Sequence, residues 1–191
     1  LLGLSIIWWA TIAILLLTSM IRSYVPQLRV RRWHAFPIIV PAAIALSVLH
    51  QSEHHGRWYV TAFLLIVWTV DTTAYFVGRT WGRTSLAPMI SPDKTVEGFV
   101  AGFVGALIIG LILYETLPIG SIVSRGQWSF LVLLTAALSV IGDLYESACK
   151  RSAGLKDSGS ILPGHGGILD RLDSLFASSP IFVAGVLYAT E

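Results

Sequence analysis

The sequence predicts an all-α, polytopic membrane helix bundle, and three observations carry that prediction. Of its 191 residues, 54% are hydrophobic and only 13% charged, about half the charge of a typical soluble domain. The apolar residues gather into segments long enough to cross a hydrocarbon layer of about 30 Å, which takes roughly 20 helical residues. These segments lack the period-2 alternation of barrel strands, and lipid tolerates only helices or closed barrels.

Six spans are expected, at about 1–21, 36–49, 58–78, 96–114, 128–146 and 174–190. The second is short and holds Pro37 and Pro41, so a tilted span, a re-entrant segment and a buried helix are all open to it. Charge asymmetry favours crossing. With six crossings, the loops 22–35, 79–95 and 147–173 share one side and carry Arg22, Arg29, Arg31, Arg32, Arg79, Arg83, Lys94, Lys150, Arg151, Lys156 and Arg171. Only Arg57 and Arg125 face the other side, 11 against 2 of the 13 basic residues. That bias places the three loops in the cytoplasm. Without the second crossing the bias vanishes, but loops 79–95 and 147–173 still lie together.

The whole chain, 1–191, reads as one transmembrane domain. It opens at Leu1 inside an apolar segment with no basic n-region or small-residue cleavage site, which suggests an internal start or truncation and not a signal peptide. A net charge of +2 is too small to suggest nucleic-acid binding. The single Cys149 leaves no internal disulfide. Gly98, Gly102, Gly105 and Gly110 form a small-residue stripe in the fourth span, expected to let helices approach closely.

Polar groups inside the spans point to chemistry. Asp71 lies deep in the third span beside Thr72, Thr73 and Tyr75. A carboxylate there costs about 2.5–3.5 kcal/mol to insert, so it should face a cavity, a cation or a partner helix. Asp143, Glu146 and Ser147 share one helix face at i, i+3 and i+4. Crowded carboxylates call for a cation, and a hard divalent ion such as Mg²⁺ prefers such oxygen ligands. Further on, Pro163, Gly164, His165, Gly166 and Gly167 force an irregular backbone before a helix resumes near Ile168. Such a glycine-rich entry presents backbone N–H groups to a phosphate; His165 is expected to contact it or to shape the turn. Asp170 and Asp173, one turn apart, are placed to join Asp143 at a metal, while Lys150, Arg151, Lys156 and Arg171 offset phosphate charge. In the loop entering the fourth span, Ser91 and Thr95 can cap the helix or bind phosphate, with Lys94 as a point charge.

At these residues the sequence resembles the phosphatidate cytidylyltransferases, also called CDP-diacylglycerol synthases. The pattern comprises Ser147, Lys150, Arg151, Lys156, Asp157, Pro163, His165, Gly166, Gly167, Asp170, Arg171 and Asp173. Asp71 to Tyr75 and the loop Ser91 to Gly98 resemble the family as well. The resemblance implies attack of a phosphatidate phosphate oxygen on the α-phosphorus of CTP, with loss of pyrophosphate. It implies Mg²⁺ at Asp143 and Asp170 with Asp173 beside them, a monovalent cation such as K⁺ at the same site, and a homodimer in a bacterial inner membrane. Asp71 and Lys94 would line the wall facing lipid or nucleotide. Asp93 departs from the family, where that position is more often basic or glycine, and relatives carry additional N-terminal spans. Two other readings share some of these features: a CTP-dependent lipid-alcohol kinase, and a secondary transporter with intramembrane carboxylates.

Overall fold

The computed structural model describes residues 2–22, 36–52, 55–155, 158–159 and 167–190. Arg29, Arg31, Arg32, Lys156, Asp157, Pro163, Gly164, His165 and Gly166, each expected to matter from the sequence, lie outside the described residues.

Six helices follow in order: α1 (Leu2–Arg22), α2 (Phe36–Gln51), α3 (Gly56–Trp81), α4 (Val96–Thr116), α5 (Arg125–Ser152) and α6 (Leu169–Thr190). All but α2 are long and apolar enough to cross a membrane, and the chain is an integral membrane protein. At 16 residues, α2 reaches only about 24 Å, short of the roughly 30 Å of hydrocarbon. It buries Pro41, Ala42, Ala45 and Leu49 and packs against α6 and α3.

Two expectations change. The segment between α3 and α4 is not a simple loop: strands β1 (Ser85–Ala87) and β2 (Ser91–Thr95) pair antiparallel, Ser85 opposite Thr95 and Ala87 opposite Ser91. Ala87 and Ile90 at its tip are buried with Trp9 of α1 and Tyr145 and Ala148 of α5, so apolar anchors fix the hairpin where polarity suggested a free loop. Second, Ser147, Lys150 and Arg151 belong to the last turns of α5 and not to a loop. The helix outlasts its apolar stretch because Glu146 and Lys150 pair at i, i+4, 2.6 Å apart.

Several threonine hydroxyls within the spans are satisfied by their own helix, as an apolar surrounding favours. Thr69 Oγ1 donates to the Leu65 carbonyl at 2.7 Å and Thr73 Oγ1 to the Thr69 carbonyl at 2.6 Å. Thr95 caps α4, its Oγ1 accepting from the Gly98 N–H at 3.1 Å. Ser124 and Gln127 form a reciprocal capping box at the start of α5.

The largely aliphatic core holds an aromatic cluster. Phe63, Trp128 and Phe182, from α3, α5 and α6, are all fully buried, with ring centroids 5.1 Å apart for Phe63–Phe182 and 6.0 Å for Trp128–Phe182. Trp128 Nε1 donates to the Gly110 carbonyl of α4 at 2.7 Å, tying α4 to α5. Trp128→Phe deletes this donor and leaves unfilled volume, and is expected to cost about 1–3 kcal/mol, read as a lower midpoint of unfolding in a denaturing-detergent titration. The glycine stripe divides its work. Gly98, Gly102 and Gly105 lie against Ala74, Val70 and Thr73 of α3, whereas Gly110 lies against Val132 of α5. At Gly98 a Cβ would sit 2.6 Å from the Ala74 carbonyl oxygen, so α3 and α4 touch there nearly backbone to backbone.

Candidate active site

One cavity, of about 1070 Å³, lies among α3, the hairpin, α5 and the start of α6. Each element brings something distinct. From α3 come Asp71, Tyr75 and Arg79; from β2, Ser91, Lys94 and Thr95; from α5, Asp143, Glu146 and Lys150; and from α6, Asp170, Arg171 and Asp173.

Its floor is a group of three carboxylates. Asp143, Glu146 and Asp173 each place an oxygen within 4.8 Å of the other two. Two ionised members of the group repel by roughly 3 kcal/mol at an effective dielectric constant near 20, so the group favours a bound cation or proton. Two lysines supply part of the compensation. Lys94 reaches down from the hairpin to pair with Asp143, and Lys150 bridges Glu146 at 2.6 Å and Asp170 at 2.8 Å. The second oxygen of Glu146, Oε1, is buried without a hydrogen-bond partner, a costly state for a carboxylate oxygen unless a ligand meets it. Three clustered carboxylates, one with an orphaned buried oxygen, fit a hard divalent cation.

The close approach of α5 and α6 creates the group. Gly142 is buried, and a Cβ on it would lie 2.6 Å from both the Asp173 carbonyl oxygen and the Ala177 Cβ. Only glycine lets the backbone of α5 come near enough to α6 for Asp143 to face Asp173.

Asp170 lies outside the group of three. Its Oδ1 takes Lys150, while Oδ2 accepts from the Gly167 N–H at 2.7 Å, the Ser158 N–H at 3.1 Å and the Ser158 hydroxyl at 2.9 Å. Bonding back to an N–H three residues earlier is what an acidic side chain does in the first turn of a helix, and in this chain it also ties residues 158–159 to α6. Glu146 stands in the group instead, a residue whose i+3 spacing from Asp143 already placed it on the same face.

The other expected site residues divide. Ser91 and Thr95 line the cavity wall, Thr95 with its hydroxyl committed to the α4 cap. Arg171 lines the cavity at the start of α6. Ser147 sits half-buried on α5. Arg151 turns away, its Nε donating to the Ile90 carbonyl at 3.3 Å, so it fastens the hairpin to the end of α5. Glu97 helps from the other side, accepting from the N–H groups of Arg83 and Thr84 at 3.1 and 3.3 Å. Lys156, His165 and Gly166 lie outside the described residues. Sequence reasoning set Tyr75 beside Asp71 on a polar face but did not single out Trp68, Phe76 and Phe99, which with it form an aromatic wall; among membrane helices, aromatic residues carry no signal of their own.

Chemically, the described lining carries six carboxylates, Asp71, Asp93, Asp143, Glu146, Asp170 and Asp173, against four cations, Arg79, Lys94, Lys150 and Arg171. With every group charged, the lining would carry a formal excess of two negative charges, which favours a cation at the site. Acids and an aromatic wall side by side suit a ligand with both a charged head and an apolar body.

Residues 3–189 match the model of the Cytidylyltransferase family. The chain is 36% identical over 185 residues to a phosphatidate cytidylyltransferase of Haemophilus influenzae, covering 92% of this chain and 64% of that protein. It is 47% identical over 141 residues to one of Bacillus subtilis, covering 71% and 48%, and 42% identical over 146 residues to one of Staphylococcus saprophyticus, covering 75% and 54%. The chain thus spans about half to two thirds of the length of these curated relatives.

Proposed function

This chain belongs to the Cytidylyltransferase family, and we propose that it transfers the cytidylyl group of CTP to phosphatidate, giving CDP-diacylglycerol and pyrophosphate. The observation that carries this reading is the carboxylate group of Asp143, Glu146 and Asp173, backed by Lys94 and Lys150, in a cavity whose α3 wall belongs to a membrane-spanning helix.

In the reaction a phosphate oxygen of phosphatidate bonds to the α-phosphorus of CTP as the bond to the β-phosphate bridging oxygen breaks and pyrophosphate leaves. Such a transfer needs charge neutralisation and in-line positioning more than a covalent nucleophile. Asp143, Glu146 and Asp173 would hold a divalent ion such as Mg²⁺, which would supply neutralisation of phosphate charge. Lys94, held over the carboxylates by its pairing with Asp143, would supply a positive charge to a substrate phosphate at the same place. Lys150 stays between Glu146 and Asp170 and keeps both carboxylates oriented. Asp170 in turn holds the Gly167 and Ser158 N–H groups in one arrangement, shaping the entry to α6. The hairpin, pinned by Arg151 and Glu97, sets the height of Lys94 above the carboxylates.

The membrane setting follows from the substrate, since drawing two acyl chains into water costs about 0.8 kcal/mol per CH₂. A bacterial inner-membrane protein with its cavity mouth in the cytoplasm, where CTP is dissolved, rests on the family resemblance and on the charge bias of a topology in which the short α2 also crosses. A homodimer and a monovalent cation such as K⁺ rest on the family resemblance alone.

The test is to supply the purified protein with Mg²⁺ and CTP labelled at the α- or the γ-phosphate, together with phosphatidate or a polyprenol. Expected is an α-labelled CDP-lipid with phosphatidate, accompanied by pyrophosphate. A γ-labelled lipid formed from the polyprenol would make the protein a lipid-alcohol kinase, and no labelled lipid with either acceptor would reject the transferase reading.

A further inference from the structure

The outward face of α3 carries a cation, Arg79, to which the transfer described above gives no role. Trp68, Asp71, Thr72, Tyr75 and Arg79 recur at helical spacing, and all line the cavity. Trp68 and Tyr75 keep 56% and 57% of their surface, and the adjoining Phe76 61%. No described element covers this face, so along α3 the cavity opens sideways, toward hydrocarbon.

Arg79 stands at the head of that opening, in the last turn of α3. Two helical turns, about 12 Å, separate it from Asp71. Its Nη1 donates to the Tyr75 hydroxyl oxygen at 2.6 Å, and its guanidinium carbon lies 5.9 Å from the centre of the Tyr75 ring. The side chain is therefore folded onto a rigid aromatic and its orientation is set in advance. Lys94 and Lys150 are committed to carboxylates, whereas among the described residues no carboxylate pairs with Arg79. Only one of its five N–H donors is used by Tyr75, and the rest of the planar fork matches a phosphate.

We infer that Arg79, oriented by Tyr75, captures the phosphate of the lipid substrate at the lateral mouth of the cavity, with the acyl chains lying along Trp68 and Phe76. The identity of that lipid as phosphatidate rests on the transferase reading. The ligand chemistry is a terminal phosphate, which CTP also offers. The lipid is assigned because the face bearing Arg79 opens to the bilayer and carries an aromatic, not a polar, flank. Arg79 is a substrate-binding residue at the entrance, some 12 Å along α3 from the level of Asp71, so it should govern lipid affinity more than the rate of the bound complex.

The protein in lipid nanodiscs, without CTP, is titrated with phosphatidate and with diacylglycerol of the same acyl chains, and steady-state kinetics are measured in parallel. Arg79→Ala is expected to weaken phosphatidate binding about tenfold, the loss of one charge-assisted contact, and to leave diacylglycerol binding unchanged. KM for phosphatidate should rise by a similar factor while KM for CTP stays put. Arg79→Lys and Tyr75→Phe, which conserve volume and guard against misfolding, should each lose about threefold. Unchanged phosphatidate affinity in Arg79→Ala, equal loss of both lipids, or a raised KM for CTP in place of phosphatidate would each overturn the inference. The binding arm needs no turnover. Arg79-dependent phosphatidate binding by a protein that makes no CDP-lipid would support the capture site and reject the transferase reading alone.

Discussion

Asp143→Asn is expected to reduce CDP-lipid formation by about 10³-fold or more while leaving the helix bundle intact. Asp143 occupies the junction of the site: it pairs with Lys94 from the hairpin, and its carboxylate lies within 4.8 Å of the oxygens of Glu146 and Asp173. Asparagine keeps its shape and removes one of three mutually repelling charges. Without metal, therefore, the variant should melt at the same temperature as the parent or slightly higher, whereas a structural defect would lower it. With metal, the Mg²⁺ concentration needed for half-maximal thermal stabilisation should rise by at least about tenfold, because one anionic ligand is gone. Asp170→Asn provides the contrast. Asp170 serves Lys150, Gly167 and Ser158, so its loss should lower activity together with thermal stability and leave the Mg²⁺ midpoint nearly unmoved. Full activity in Asp143→Asn, or a Mg²⁺ midpoint that shifts only in Asp170→Asn, would reject Asp143, Glu146 and Asp173 as the metal ligands.

The helices were legible because lipid leaves so few alternatives: an apolar stretch with no period-2 alternation has to become a helix. Asp71 and Asp143 were legible for the same reason, as charges that hydrocarbon penalises. The partition of Asp170 and Asp173 was not. Spacing i, i+3 puts both on neighbouring stripes of α6, and which one reaches α5 depends on the rotation of that helix and on the demand for acceptors at its first turn, where the Gly167 N–H draws Asp170 back. Nor did the hairpin announce itself. Pro92, Asp93 and Lys94 are poor strand formers, and β2 forms because Ala87 and Ile90 find a buried place beside Trp9, Tyr145 and Ala148, a tertiary effect with no local pattern. Arg79 stood out only as one positive charge among 13; its link to Tyr75 at i, i+4 and the uncovered face it shares with Asp71 are properties of the packed bundle.

Gly142→Ala should be the most damaging change to a residue with no reactive group. The added methyl would lie 2.6 Å from the Asp173 carbonyl oxygen and from the Ala177 Cβ, and ordinary contact needs about 3.4 Å or more. One of the two obstacles is backbone, so rotamer changes cannot absorb the difference and α5 must move off α6 by roughly 1 Å. Overpacking of this kind costs about 1–3 kcal/mol. The larger effect falls on the site, because Asp143 and Glu146 ride on α5 and Asp173 on α6, and a misplacement near 1 Å is worth roughly 10²-fold in rate. Expected, then, is a fall in kcat of about that size with a lowered unfolding midpoint, and weaker Mg²⁺ stabilisation although every carboxylate remains. Adding Ala177→Gly removes one obstacle and leaves the Asp173 carbonyl in place, so the double variant should recover part of the stability and little of the activity. Near-normal turnover in Gly142→Ala would show that the carboxylates do not need α5 and α6 at their observed separation, and glycine at position 142 would then have no role in the geometry of the site.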